Sequence, residues 1–177
     1  MKNRLILTTV ISALAFTGAA SAQVSGSGSL GVTADVQGSI LLTFVSDGSG
    51  MTVTGSATST ASLPMGTVKM FGASLPSGLT LTPSGVSSFA LSTPFDVRVD
   101  LANTTSSTYT LTAILSSADS TNTWTLGGMN ISDGTLKTLT ITGAYATAVP
   151  YTLSISIPAS EAAFSLSNTI NFVASAN

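Results

Sequence analysis

The chain has no cysteine and no histidine. Without cysteine there is neither a disulfide staple nor a thiolate nucleophile. Without histidine, Ser-His-Asp and Cys-His systems are excluded, along with the usual zinc donor sets. Charge is equally scarce, at 7% of residues, and aromatics make up only 6%. Beyond the first few residues the basic groups are Lys69, Arg98 and Lys137, far apart in sequence. No cluster exists to hold nucleic acid or an anionic membrane surface. Carboxylates, lysines and hydroxyls are all that remain for chemistry.

What is present is polar but uncharged. Serine and threonine make up about a third of the chain, beside 44% hydrophobic residues. Such a composition favours a packed core over disorder, and threonine suits strands. The opening "MKNRLILTTVISALAFTGAASAQ" has a short basic head at Lys2 and Arg4 and an apolar stretch from Leu5 to Phe16. Ala20-Ser21-Ala22 then supplies small residues for cleavage. This pattern predicts a secretory signal peptide over residues 1–22 and a mature chain from Gln23. The apolar stretch falls short of the ~20 residues of a bilayer span, so no membrane span is expected after cleavage. Three basic residues then face seven acidic ones, for a net charge near −4.

Strand-like alternation recurs along the whole mature chain. "TPFDVRVDLAN" turns Phe95, Val97, Val99 and Leu101 to one side and Asp96, Arg98 and Asp100 to the other, with Pro94 at the expected strand start. "TYTLTAIL" aligns Tyr109, Leu111, Ala113 and Leu115, and "VPYTLSISIP" aligns Tyr151, Leu153, Ile155 and Ile157. "LKTLTIT" offers Leu139 and Ile141, and "TINFVAS" offers Ile170 and Phe172. Asp47-Gly48, Gly127-Gly128 and Asp133-Gly134 are hairpin signals, and "ASEAAFSLSN" could carry one helical turn. Many short one-sided strands predict an all-β chain, a single antiparallel immunoglobulin-like β-sandwich. A membrane β-barrel would need more aromatics than this chain has.

The N-terminal stretch "QVSGSGSLGVTADVQ" also alternates, with Val24, Gly26, Gly28, Leu30, Val32, Ala34 and Val36 on one face. It divides the expected organisation into an extension at 23–29 and a sandwich domain at 30–177, with a strand from Leu30 onward.

Candidate sites are few. Asp96 and Asp100 share a strand face, but their backbones lie ~13 Å apart, a poor match to either glycosidase geometry. With Arg98 between them, a solvated ion-pair ladder is the simpler expectation. Lys69 and Lys137 follow glycines at the third residue back, so no S-x-x-K motif exists. Asp47, Asp119 and Asp133 each stand alone in a loop, which suits turns better than calcium. Trp124 is either a core plug or a sugar-stacking platform. Asn103-Thr104-Thr105 and Asn130-Ile131-Ser132 match the glycosylation acceptor pattern, which a Thr-rich chain produces easily. No catalytic residue, cofactor site or metal site is expected, and the chain reads as a non-enzyme.

The stretches "SLGVTADVQGSILLTFV" and "YTLSISIP…NTINFVASAN", within a cysteine-free chain behind a leader, resemble the cysteine-free pilins of the alternate chaperone–usher class. More loosely, they resemble spore-coat-U-like surface proteins. The resemblance covers the two ends of the chain. It implies an immunoglobulin-like sandwich that lacks one strand and receives a neighbour's N-terminal extension. Carried onto this sequence, the donor face is Val24, Leu30, Val32, Ala34 and Val36, with Gly26 or Gly28 where a pocket is shallow. The expected protein is a secreted structural or adhesive subunit at the cell surface, partnered by itself or other surface subunits. The alternative is a monomeric extracellular module that binds carbohydrate through Trp124.

Overall fold

Alternating polarity decides which segments become strands. The computed structural model describes residues 30–71 and 75–177, among which there are nine strands and no helix. They are β1 (Ser39–Val45), β2 (Thr80–Ser84), β3 (Ser88–Ala102), β4 (Tyr109–Leu115), β5 (Thr123–Leu126), β6 (Met129–Asn130), β7 (Lys137–Gly143), β8 (Ala148–Pro158) and β9 (Ile170–Ala176). One antiparallel sheet runs β1-β3-β8-β5-β6, with β2 also paired to β3, and the other runs β7-β4-β9. The two form an all-β sandwich. The predicted leader at 1–22 and extension at 23–29 lie outside the described residues.

The core comes from the strands with the strictest alternation. Leu91, Phe95, Val97 and Val99 of β3 are buried, as are Leu153, Ile155 and Ile157 of β8 and Trp124 and Leu126 of β5. From the smaller sheet, β4 buries Tyr109, Leu111, Ala113 and Leu115. Each large apolar side chain so buried stabilises the fold by roughly 1.5–3 kcal/mol against exposure. With no disulfide, this burial carries the sandwich.

Pro94 is in the middle of β3 rather than at its start. It opposes Thr152 of β8, whose carbonyl points the other way and accepts from Gly127 N–H at 3.0 Å. Pro94 therefore faces the opposite edge of β3, where β2 has ended opposite Ser92 and β1 has not begun until Asp96. No ladder hydrogen bond is lost there, which is why proline is tolerated inside a paired strand.

Three other expectations are corrected. The predicted strand from Leu30 does not form: residues 30–38 are exposed and unpaired, and β1 starts at Ser39. Ser39 opposes Ala102, the last residue of β3, and Asn103 then turns with φ 56°, so upstream residues have no neighbour to pair with. Ile141 is 64% exposed instead of inward, because two register shifts against β4 re-aim that part of β7. "ASEAAFSLSN" forms no helix; it makes one turn, Glu161 N–H to Pro158 C=O at 3.2 Å, and continues without regular structure. Gly127-Gly128 does form the tight turn predicted, both at positive φ between the paired residues Leu126 and Met129.

All nine strands belong to one compact unit, Asp35–Asn177. No helix among the described residues is long and apolar enough to cross a membrane.

Candidate functional site

Phe44 of β1, Phe95 of β3 and Phe172 of β9 bring the edges of the two sheets together. Ring centroids are 5.2 Å apart for Phe44–Phe172 and 6.2 Å for Phe95–Phe172, both edge-on, the favourable arrangement for aromatic pairs. Beside this trio opens a cavity of about 1810 Å³. Its floor is the inner face of the larger sheet, with Leu91, Leu153, Ile155 and Trp124. Its other walls are segments 59–71 and 159–169, which hold no named strand. Among the described residues, Lys69 and Glu161 are the only charged ones that line it. Apolar side chains at its margin remain in water, Phe71 at 71% exposure, Val86 at 85% and Phe164 at 46%. Exposed apolar surface gathered at one opening is unusual for an isolated domain.

The backbone of β9 is open on the same side. Asn177 N–H donates to Thr108 C=O at 3.1 Å, and Thr169 C=O accepts from Ser116 N–H at 2.7 Å. Odd-numbered residues of this strand thus face β4. The amides and carbonyls of Ile170, Phe172, Ala174 and Ala176 face away from it, and no backbone partner meets them among the described residues. The sequence Ile-Asn-Phe-Val-Ala-Ser-Ala carries no charge and no proline, and its register against β4 is unbroken. Sheet edges are ordinarily blunted by such devices. The edge at β7, by contrast, has bulges and Lys137.

Trp124 is 5% exposed and packs in the core at the floor of the cavity. Its Nε1–H donates to Asp119 Oδ2 at 2.8 Å, and the Asn122 side chain donates to the same oxygen at 3.0 Å. Asp119 Oδ1 accepts the backbone N–H of Thr121 and Asn122. Burial pushes the Asp119 carboxyl up, but these four hydrogen bonds outweigh it and hold the pKa at about 2. Asp119 therefore organises a turn and anchors the indole, a role that its isolation in sequence did not reveal.

A second, shallow cleft of about 490 Å³ lies between Asp119, Asn130 and Lys137. Its other carboxylate, Asp133, is paired with Lys137 Nζ at 2.8 Å. That ammonium, with the Thr135 backbone and hydroxyl, lowers the Asp133 pKa to about 2. Both carboxylates are held ionised by donors, with pKa values of about 2, far below that of a base poised near neutral pH. No group of three or more metal-ligating side chains occurs among the described residues. The ladder predicted on β3 is half formed: Arg98 grips Asp100 through Nε and a terminal nitrogen at 2.8–3.0 Å, and Asp96 stands apart. Burial, then the nearby Asp47 carboxylate, raises the Asp96 pKa.

The predicted donor face divides at the edge of the described chain. Val24 lies outside it, while Leu30, Val32, Ala34 and Val36 are all exposed, Leu30 at 89% and Val32 at 83%. Their even-numbered phase continues into Ile40, Leu42 and Phe44, which line the groove or its trio. The groove itself was not readable from sequence, because it is made by segments distant along the chain. No family model, curated protein or solved structure matches this chain.

Proposed function

We propose that this is a secreted structural subunit of the cell surface that assembles by strand addition. The groove beside β9 accepts a segment from a second copy of the chain. That segment's backbone pairs with Ile170, Phe172, Ala174 and Ala176, and its Leu30, Val32, Ala34 and Val36 enter the apolar cavity. The carrying observation is the uncharged, unpaired edge of β9 beside a cavity whose marginal apolar residues are exposed.

Strand addition draws affinity from main-chain hydrogen bonds and specificity from alternate side chains in pockets. Segment and edge are complementary in these terms, each apolar at every second residue and each without a basic group. Transfer of an exposed Leu or Val into the cavity adds roughly 1.5–3 kcal/mol per fully buried side chain. Export rests on the leader predicted at residues 1–22.

The test removes residues 23–37 and compares the product with the full mature chain by size-exclusion chromatography and thermal melting. The expected result is polymer from the full chain and a folded monomer from the shortened one, with a synthetic Gln23–Gln37 peptide raising the monomer's Tm. A full chain that remains a stable monomer, with a groove indifferent to the peptide, would overturn the proposal in favour of a monomeric binding module.

A further inference from the structure

Resting on that reading, we infer that segment 162–167 is a displaceable strap, which becomes an N-terminal extension of β9 when a donor strand enters the groove. Three observations converge on this segment.

The first is its pattern. Leu166, Asn168, Ile170, Phe172 and Ala174 are half-buried, and every residue between them is exposed. This period of two starts at least four residues before β9 does. Extended chain with one buried face is strand-like whether or not it is paired.

The second is how the ladder stops. The last pair between β4 and β9 is Leu115 with Ile170. Beyond it, Ser116 N–H donates to Thr169 C=O at 2.7 Å. The Asn168 side chain then imitates one more paired residue, accepting from Ser117 N–H at 3.3 Å and donating to Ser117 C=O at 2.7 Å. Asn168 fixes the direction of the strand while the chain before it departs from β4. Among the described residues, 162–167 make no backbone hydrogen bond.

The third is that the strap rests poorly where it is. Phe164 and Leu166 line the cavity, yet Phe164 is 46% exposed. At the strap's root, Glu161 Oε2 is buried with no hydrogen-bond partner among the described residues. A buried polar atom without a partner disfavours the arrangement that holds it. Movement of the strap would return this oxygen to water.

Chain lengths agree with the inference. β9 alone has 7 residues, against 15 in the alternating stretch Gln23–Gln37. With the strap added, residues 162–176 number 15, the length of the donor. In the odd-even phase of β9, the amides of Phe164 and Leu166 would then point at the donor.

Amide hydrogen exchange on the monomer lacking residues 23–37, which keeps all nine strands and has no donor of its own, with and without excess peptide of sequence 23–37, tests this. A Val32→Asp peptide serves as the non-binding control. The expected result is slower exchange at Ile170, Phe172 and Ala174, and also at Phe164 and Leu166, by about tenfold or more. Protection of β9 with strap exchange unchanged would overturn the strap and leave strand addition intact. No protection at either place would overturn strand addition, and the strap with it.

Discussion

Trp124 and Asp119 are joined by a 2.8 Å hydrogen bond from the indole Nε1 to a carboxylate oxygen. It lets the chain's single tryptophan be buried without leaving its N–H unpaired. It also makes stability depend on pH in a defined window. The Asp119 pKa is about 2 in the folded chain against 3.8 for a free aspartate, so the ionised form is the one that folding favours. Its contribution is complete above pH 4 and is lost as pH falls through about 2.

Asp119→Asn should accordingly lower the Tm at pH 7, at a cost of about 1–2 kcal/mol. The difference from wild type should shrink as melts are repeated from pH 4 down to pH 2. A deficit that is the same at pH 7 and pH 2 would show that the carboxylate's charge is irrelevant to the turn.

A second prediction concerns the close approach of Gly143 to Tyr109. A Cβ at Gly143 would collide with the tyrosine ring, which is fully buried and cannot yield. Gly143→Ala should therefore destabilise by about 2–3 kcal/mol, as overpacking does. Gly128→Ala meets no atom within 4 Å but must adopt φ 84°, and should cost nearer 1–2 kcal/mol. Denaturant melts of the two variants would rank them. Gly128→Ala as the worse of the pair would mean that the smaller sheet can shift to accommodate a methyl group.

These sites also indicate what could be read from the sequence. β3, β4 and β8 were legible because both their faces are decided by side chains, apolar inward and hydroxyl or charge outward. Leu30 to Val36 shows the same alternation and forms no strand, since alternation specifies a face but supplies no partner backbone. Alternation misplaces Ile141 because a bulge reverses the face beyond it, and "LKTLTIT" has no glycine or proline to announce one. Sequence alone reads Pro94 as a strand start, because the gap that tolerates it, between β2 ending at Ser92 and β1 beginning at Asp96, is set by distant segments. The aromatic trio and the groove arise in the same way, from packing between segments far apart in sequence. The Asp119–Trp124 bond is local, closing within five residues, but alternation alone does not announce a side-chain partner across a turn.

The final prediction uses the two edges of β9 against each other. Proline is tolerated in a strand where its missing N–H would have faced away from the ladder, and is damaging where the ladder needs that donor. Ala174 faces the free edge and Ser175 faces β4. Ser175→Pro should break the pairing with Thr110 and lower stability by about 3 kcal/mol. Ala174→Pro should leave the monomer's Tm close to wild type, because no bond of the isolated sandwich uses that amide. If β9 receives a strand from a second copy, Ala174→Pro removes a donor from the middle of the accepting edge. Polymerisation should then fail in a protein that still folds. Size-exclusion chromatography of both variants beside wild type separates the cases. Polymer formed by Ala174→Pro at the wild-type level would show that the free edge of β9 is not the acceptor.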